Sequence, residues 1–66
     1  MNAREAAAEL APRLAAAGVV DSGFEAEYLV RVAAGISRVE YFRGHELRAE
    51  QRTRLGALAR RRLERE

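Results

Sequence analysis

The sequence contains no cysteine, and it has one proline and one histidine. Without cysteine it can form neither a disulfide framework nor a thiolate metal site, and one histidine cannot build a metal site of the usual kind. No apolar run approaches the roughly 20 residues that span a bilayer. The first ten residues carry two acids and lack the apolar run of an export signal. We therefore expect no membrane segment and a cytoplasmic location, with which the absence of cysteine agrees.

Lysine is also absent, so all 12 basic residues are arginine, against 10 acidic residues and a formal net charge of +2. A protein that binds nucleic acid electrostatically normally concentrates far more uncompensated positive charge on one face. The three consecutive arginines at 60–62 do not do so, because successive residues of a helix point about 100° apart. The charge balance argues against nucleic acid as a partner.

The 66 residues are enough for one small domain, spanning 1–66. Alternating runs of β-branched residues between turns, which would indicate strands, do not occur. The chain instead shows helical spacing with capping-box pairs at helix starts and glycines at helix ends. The pairs are Asn2 with Glu5, Ser22 with Glu25 and Ser37 with Glu40, and the glycines are Gly18, Gly35 and Gly44. A fourth helix begins near Ala49, and the fold is predicted to be an all-α bundle of four to five short helices.

Helical periodicity also predicts which residues form the core. The predicted core consists of Leu10, Leu14, Phe24, Tyr28, Leu29, Val32, Ile36, Phe42, Leu55 and Leu58. Glu27 and Arg31 are expected to form an exposed pair on the opposite side of the second helix, and Tyr41 is expected at the rim. Pro12 is expected to bend or break the first helix on its exposed side. Gly56 is expected to mark a close helix crossing.

Glu25 lies in the first turn of the predicted second helix, in the middle of its apolar side. Its carboxylate can complete a capping box with Ser22, where the helix dipole also stabilises it. It can instead pair with an arginine of another helix, for which Arg62 is the candidate, or act as a catalytic acid. Catalysis is the least favoured role, because no second titratable group lies at suitable spacing. We predict no catalytic, cofactor-binding or metal-binding residue in this segment.

Arg54, Arg61 and Arg65 form a coherent stripe on the last helix, away from its leucines. Three interpretations are open for this stripe. It can be a solvated face, since arginines are favoured at the negative end of a helix dipole. It can be a docking surface for an acidic protein, or a nucleic-acid contact, which the charge balance disfavours.

The order of several short motifs resembles the N-terminal helical domain of the HemK family, the bacterial release factor glutamine methyltransferases. The resemblance extends from Ala15 onward. Its matching positions are Ala17-Gly18; Glu25-Ala26-Glu27 followed by Tyr28, Leu29 and Val30; Gly35 with Ser37 and Arg38; Leu47, Glu50 and Gln51; and Leu55, Leu58 and Arg62. Phe24 and Tyr28 depart from the family pattern, in which aliphatic residues are commoner, and Arg48 stands where a small polar cap is often found.

The resemblance implies one domain of a larger, two-domain enzyme. In the family a Rossmann-like domain follows, carries an Asn-Pro-Pro-Tyr motif and binds S-adenosylmethionine. That domain methylates the glutamine of the Gly-Gly-Gln motif in peptide chain release factors. None of its motifs occurs in this chain, so no catalytic residue is carried over and no cofactor is expected here. The resemblance implies that this segment holds the release factor, beside a catalytic domain that is absent.

Two alternatives of another class stay open from the sequence. The chain can be a free-standing basic helical module that binds nucleic acid, or a helical dimerisation unit. The first predicts several phosphate contacts and a steep loss of affinity with salt. The second predicts twice the chain mass in solution.

Overall fold

A computed structural model describes residues 1–64 of the chain. Helices account for most of these residues, and no strand occurs among them. The helices are α1 (Ala3–Ala16), α2 (Ser22–Ala34), α3 (Arg38–Arg43) and α4 (Ala49–Leu63). The prediction of a small all-α bundle is confirmed over this part of the chain.

α1 begins at the capping box predicted for Asn2 and Glu5. Asn2 Oδ1 accepts a hydrogen bond from the Arg4 amide at 2.7 Å, and Glu5 Oε1 accepts from the Asn2 amide at 2.9 Å. A bend or a break was expected at Pro12, and the helix continues through it without a break. Pro12 lies on the exposed side, as expected. Proline has no N–H, so the carbonyl oxygen one turn earlier has no helical donor, and on this side water can donate to it instead.

α2 begins differently from the prediction. Its N-cap is Asp21, which adopts a left-handed conformation at φ 62° and makes no side-chain capping hydrogen bond. Ser22 is the first helical residue, so the capping box predicted for Ser22 and Glu25 is wrong. The Glu25 carboxylate does not reach back to the helix start because it bonds a side chain of α4 instead.

The starts of α3 and α4 agree with the prediction. The Glu40 amide donates to Ser37 Oγ at 3.1 Å, and the Ser37 amide donates to Glu40 Oε1 at 2.8 Å. At α4, Gln51 Oε1 accepts from the Arg48 amide at 2.8 Å. The Gln51 side-chain amide also donates to the Ala34 carbonyl at 3.2 Å, so one residue joins the start of α4 to the end of α2.

The helices pack around α2, which lies against both α1 and α4. A short backbone pairing holds the first residues to the segment that precedes α4. The Ala3 amide donates to the His45 carbonyl at 2.8 Å, and the Leu47 amide donates to the Met1 carbonyl at 2.9 Å. This pairing fixes where α4 enters the bundle.

The buried core is small and rich in alanine. Its apolar members are Ala3, Ala6, Ala7, Leu10, Leu14, Val19, Ala26, Leu29, Val30, Ala33, Tyr41, Leu47 and Ala59. Leu10, Leu14 and Leu29 were predicted to be buried and are. Ile36, Leu55 and Leu58, also predicted core residues, are partly buried against this cluster.

The predicted core face of α2 is wrong. Phe24, Tyr28 and Val32 are exposed, and the buried face carries Ala26, Leu29, Val30 and Ala33 instead. α1 presents a shallow stripe of alanines, and a second helix approaches such a stripe closely through small side chains. Ala26 and Ala33 permit that approach, whereas the bulkier residues would hold the helices apart. α2 is therefore rotated so that its aromatic side faces outward.

Two further packing predictions are corrected. Tyr41 of α3 is buried and Phe42 is exposed, the reverse of the prediction. Gly56 of α4 does not mark a close crossing, because a Cβ added there would meet no atom within 4 Å. Its cost to the helix is thus not offset by close packing at that point.

Candidate docking surface

Large apolar side chains on α2 and α3 remain outside the core. Phe24, Tyr28 and Val32 recur every four residues along α2 and are 51%, 50% and 45% exposed. Val39 and Phe42 of α3 are exposed as well. We call these five residues the α2–α3 apolar face. Exposed apolar side chains that form a contiguous patch often mark interaction sites.

An ion pair lies along one side of α2. Arg62 Nε of α4 donates to Glu25 Oε2 at 2.9 Å, and both side chains are about a third exposed or less. Of the three roles open for Glu25, the structure contains the inter-helix ion pair. The pair joins the last turn of α4 to the first turn of α2, beside Phe24. Arg62 can also cover apolar surface with its aliphatic stem.

A second charge cluster lies on the other side of α2. Glu27 Oε2 accepts from Arg38 Nε at 2.8 Å and lies 3.2 Å from Arg31 Nε. Glu27 is buried, so the expectation that it faces water is wrong. A buried carboxylate needs such partners, since an unpaired charge is costly to remove from water. With two guanidinium groups on one carboxylate, the cluster carries a net charge of +1.

Both arginines of this cluster also stack on exposed aromatic rings. The Arg31 guanidinium lies 5.9 Å from the centre of the Tyr28 ring, and that of Arg38 lies 5.5 Å from the centre of the Phe42 ring. Such contacts are typical cation–π interactions. Glu27 thus holds two arginines in place, and each arginine restrains one aromatic side chain of the apolar face.

α3 completes the surface. The buried Tyr41 ring meets Phe42 edge-on, with 5.0 Å between ring centres and 85° between ring planes. Burial raises the pKa of the Tyr41 hydroxyl above its ordinary 10.0, and the charge of Glu27 raises it further. Tyr41 is therefore neutral at physiological pH. Beside Phe42, a shallow depression is lined by Arg38, Val39 and Arg43.

Two of the three predicted docking arginines, Arg54 and Arg61, lie on α4. Arg54 Nη1 donates to the Ala33 carbonyl at 3.3 Å, which places its charge at the C-terminal end of α2. Arg61 is exposed on α4. Arg65 lies outside the described residues.

A family model described as the PrmC N-terminal domain matches residues 5–66. The chain belongs to this family. PrmC and HemK name the same release factor glutamine methyltransferases, so the resemblance found in the sequence is confirmed. Searches of curated proteins and of solved structures gave no match.

The match to the PrmC N-terminal domain includes every residue of the α2–α3 apolar face and of both ion-pair clusters. Sequence reasoning missed the outward position of Phe24 and the burial of Glu27. One signal was available for both: a stripe of alanines on α1 allows close packing of a second helix that also presents small residues, which favours the Ala26 and Ala33 side of α2. Arg38 was visible only as part of a family motif.

Two other features are not found among the described residues. Within 1–64, histidine and acidic side chains do not gather in a group of three or more that could hold a metal ion. No helix in the same range is long and apolar enough to cross a membrane. What these residues offer is a surface, with an apolar centre and arginines at its edges.

Proposed function

We propose that this chain is the substrate-positioning domain of an S-adenosylmethionine-dependent methyltransferase that modifies glutamine in peptide chain release factors. The match of residues 5–66 to the PrmC N-terminal domain carries the proposal. The exposed apolar face supports it, because apolar surface edged by arginine is typical of protein interfaces. Release factors work in translation, so the proposed location is the cytoplasm.

The role we propose is to hold the substrate protein, without chemistry by these residues. This chain has neither the Asn-Pro-Pro-Tyr motif nor the glycine-rich strand–turn–helix that the family resemblance assigns to methyl transfer. We therefore place S-adenosylmethionine and the methyl-transfer step in a separate catalytic domain. Holding two reactants in the right geometry can lower a barrier by several kcal/mol, with about 7–11 kcal/mol as the limit for ideal orientation.

Arg54, Arg61 and Arg65 remain proposed docking residues within this function. Arg61 is exposed, and exposed charge acts mainly on the rate of encounter with an oppositely charged partner. Such attraction weakens over about 8 Å at physiological ionic strength. Arg54, which bonds the end of α2, and Arg65 belong to the same proposal.

The proposed function is tested by an NMR titration of the ¹⁵N-labelled chain with a release factor. We expect a localised set of shifted amides and weaker binding as salt is raised. An unrelated acidic protein of similar size serves as the control and should shift no amides. Unchanged spectra with the release factor would contradict the proposed partner.

The non-catalytic role is tested separately by mass spectrometry. The chain is incubated with S-adenosylmethionine and release factor, and the Gly-Gly-Gln peptide is weighed. We expect no mass increase. Methylated glutamine in this mixture would show that the segment itself carries the chemistry.

A further inference from the structure

We infer that the α2–α3 apolar face is the surface that contacts the substrate protein, and that it takes an acidic, amphipathic segment of that protein. The segment would place apolar side chains over Phe24, Tyr28 and Phe42 and carboxylates against the arginines at the edges. This inference rests on the proposed function and names the surface and the chemistry of its partner.

The distribution of aromatic residues is the first argument. The chain has four aromatic residues, and only Tyr41 is buried. Phe24, Tyr28 and Phe42 are each about half exposed. Burial of such a side chain stabilises a folded protein, and this small domain with an alanine-rich core leaves three of them only half buried. A partner that covers this face would recover that free energy on binding.

The second argument is that two of the three exposed aromatic side chains, Tyr28 and Phe42, are already restrained. Arg31 stacks on Tyr28, and Arg38 stacks on Phe42. Buried Glu27 accepts a hydrogen bond from Arg38 and forms an ion pair with Arg31. Restrained anchor residues lose less conformational entropy when a partner binds. Aromatic and arginine side chains are also the types most often found among residues that dominate binding energy.

The charges at the edges determine the occupant. The Glu27 cluster carries a net charge of +1, and Arg43 lies nearby on α3 at the depression beside Phe42. Arg38, which is 59% exposed in its side chain, donates to Glu27 through Nε, and a guanidinium has further N–H groups to offer. Carboxylates are their natural partners, often through two parallel hydrogen bonds.

Two other occupants fit these observations less well. In a symmetric dimer the same patch of both copies would meet. Contact between the two positive sides at α3 would be repulsive, and a shift that avoids it would leave the apolar centre uncovered. Nucleic acid would bring phosphates against an apolar centre, and the whole chain carries only +2. A protein segment with both apolar and acidic side chains can cover the apolar centre of the face and pair with the arginines at its edges.

The test measures the affinity of a release factor for the chain and for single-residue variants. Phe24→Ala and Phe42→Ala should each weaken binding by about tenfold or more, as expected for central anchor residues. Val20→Ala is the matched apolar control, because Val20 is 89% exposed and lies outside the face. It should leave the affinity unchanged. Circular dichroism checks that each variant keeps its helices.

Charge variants separate the two candidate surfaces. Arg43→Glu should weaken binding about tenfold through repulsion of the partner's carboxylates, whereas Arg61→Glu on α4 should have a smaller effect. If Arg61→Glu abolishes binding while Phe24→Ala and Phe42→Ala do not, the inference is overturned and the proposed function stands. If the unmodified chain binds no release factor, the proposed function fails first.

Two further measurements identify a different occupant. Sedimentation equilibrium should give the mass of a monomer, and a dimer that Phe24→Ala dissociates would assign the face to a second copy. A fluorescent DNA duplex should not bind at low salt. Binding that Phe42→Ala removes would assign the face to nucleic acid. Either result would overturn the inference.

Discussion

Glu25 and Arg62 lie 37 positions apart in the chain, yet Arg62 Nε and Glu25 Oε2 are 2.9 Å apart. The pair joins the first turn of α2 to the last turn of α4. Neither side chain is fully exposed, which limits the screening that makes most surface pairs weak. A glutamate in the first turn of a helix and an arginine in the last turn each also suit the helix dipoles.

A double-mutant cycle should give a coupling free energy of about 0.5–1 kcal/mol between Glu25 and Arg62. The variants are Glu25→Gln, Arg62→Gln and their combination, and urea unfolding measures their stability. The cycle removes the separate dipole effect of each charge. Glu9→Gln, at an exposed position of α1, serves as the control and should change stability little. Additive single effects would show that the pair contributes nothing.

Replacement of Glu27 should cost more than replacement of Glu25. Glu27→Gln removes the charge that holds Arg31 and Arg38, and we expect a loss of about 2 kcal/mol in unfolding free energy. The loss is limited because the exposed Arg38 can turn towards water. Urea unfolding compares this variant with Glu25→Gln and Glu9→Gln. Equal stability of all three would mean that Glu27 is not buried as described.

The rotation of α2 is tested by one substitution made at two positions of the same helix. Val30 is fully buried, whereas Val32 is 45% exposed. Val30→Ala should lower the unfolding free energy by about 2 kcal/mol through lost burial and a cavity. Val32→Ala should change it by less than about 0.5 kcal/mol. The opposite order, measured by urea unfolding, would restore the core face predicted from the sequence.

Two glycines should respond to alanine in opposite directions. Gly56 lies inside α4, where an added Cβ meets no atom within 4 Å, so Gly56→Ala should stabilise the chain by up to about 1 kcal/mol. Gly35 ends α2 at φ 68°, a conformation that costs an alanine about 1–2 kcal/mol. Gly35→Ala should destabilise by that amount. Melting temperatures of the two variants check the signs, and destabilisation by Gly56→Ala would indicate an overlooked contact.

Stability should fall in acid partly through Glu40. Hydrogen bonds from the Ser37 backbone amide, and then from its hydroxyl, hold the pKa of Glu40 below its ordinary 4.5. A depressed folded-state pKa means that ionised Glu40 stabilises the fold above the ordinary value, and that this contribution is lost as pH falls through the folded-state pKa. Glu40→Gln cannot titrate, so its melting temperature should decline less steeply with falling pH.

That comparison uses thermal unfolding from about pH 5 downward, the range in which carboxylates bind protons. Glu9→Gln is the control and should follow the parent chain. Parallel declines in Glu40→Gln and the parent would show that the Ser37 hydrogen bonds do not couple to folding. The pKa of Glu46 is also lowered, so part of the loss of stability in acid should remain in every variant.

Much of the helical framework was predictable because helix ends depend on neighbouring residues. The boxes at Asn2 and Ser37 form as predicted, since each needs only residues three positions apart. Gly18 and Gly35 adopt positive φ at the ends of α1 and α2. The box predicted at Ser22 does not form, because the Glu25 carboxylate accepts a hydrogen bond from Arg62 of α4 instead. A pattern of neighbouring residues carries no information about such a distant partner.

The candidate surface was less predictable than the framework. Periodicity placed Phe24, Tyr28 and Val32 on one side of α2 correctly, but it could not tell whether that side faces the core. A helix with apolar residues around most of its circumference offers more than one face for burial. Which face of α2 is buried depends on how its side chains fit against those of α1. The same rotation of α2 buries Glu27, which was predicted to be exposed, and places it beside Arg31 and Arg38.

The sequence by itself determined the all-α class, most of the helix ends and the family, because these follow from local hydrogen bonding and from the order of short motifs. Only the tertiary structure decided which side of α2 is buried, which glutamates are paired and which aromatic residues face outward. Those outcomes depend on how closely two helices can approach, and that distance is set by side chains from both helices together.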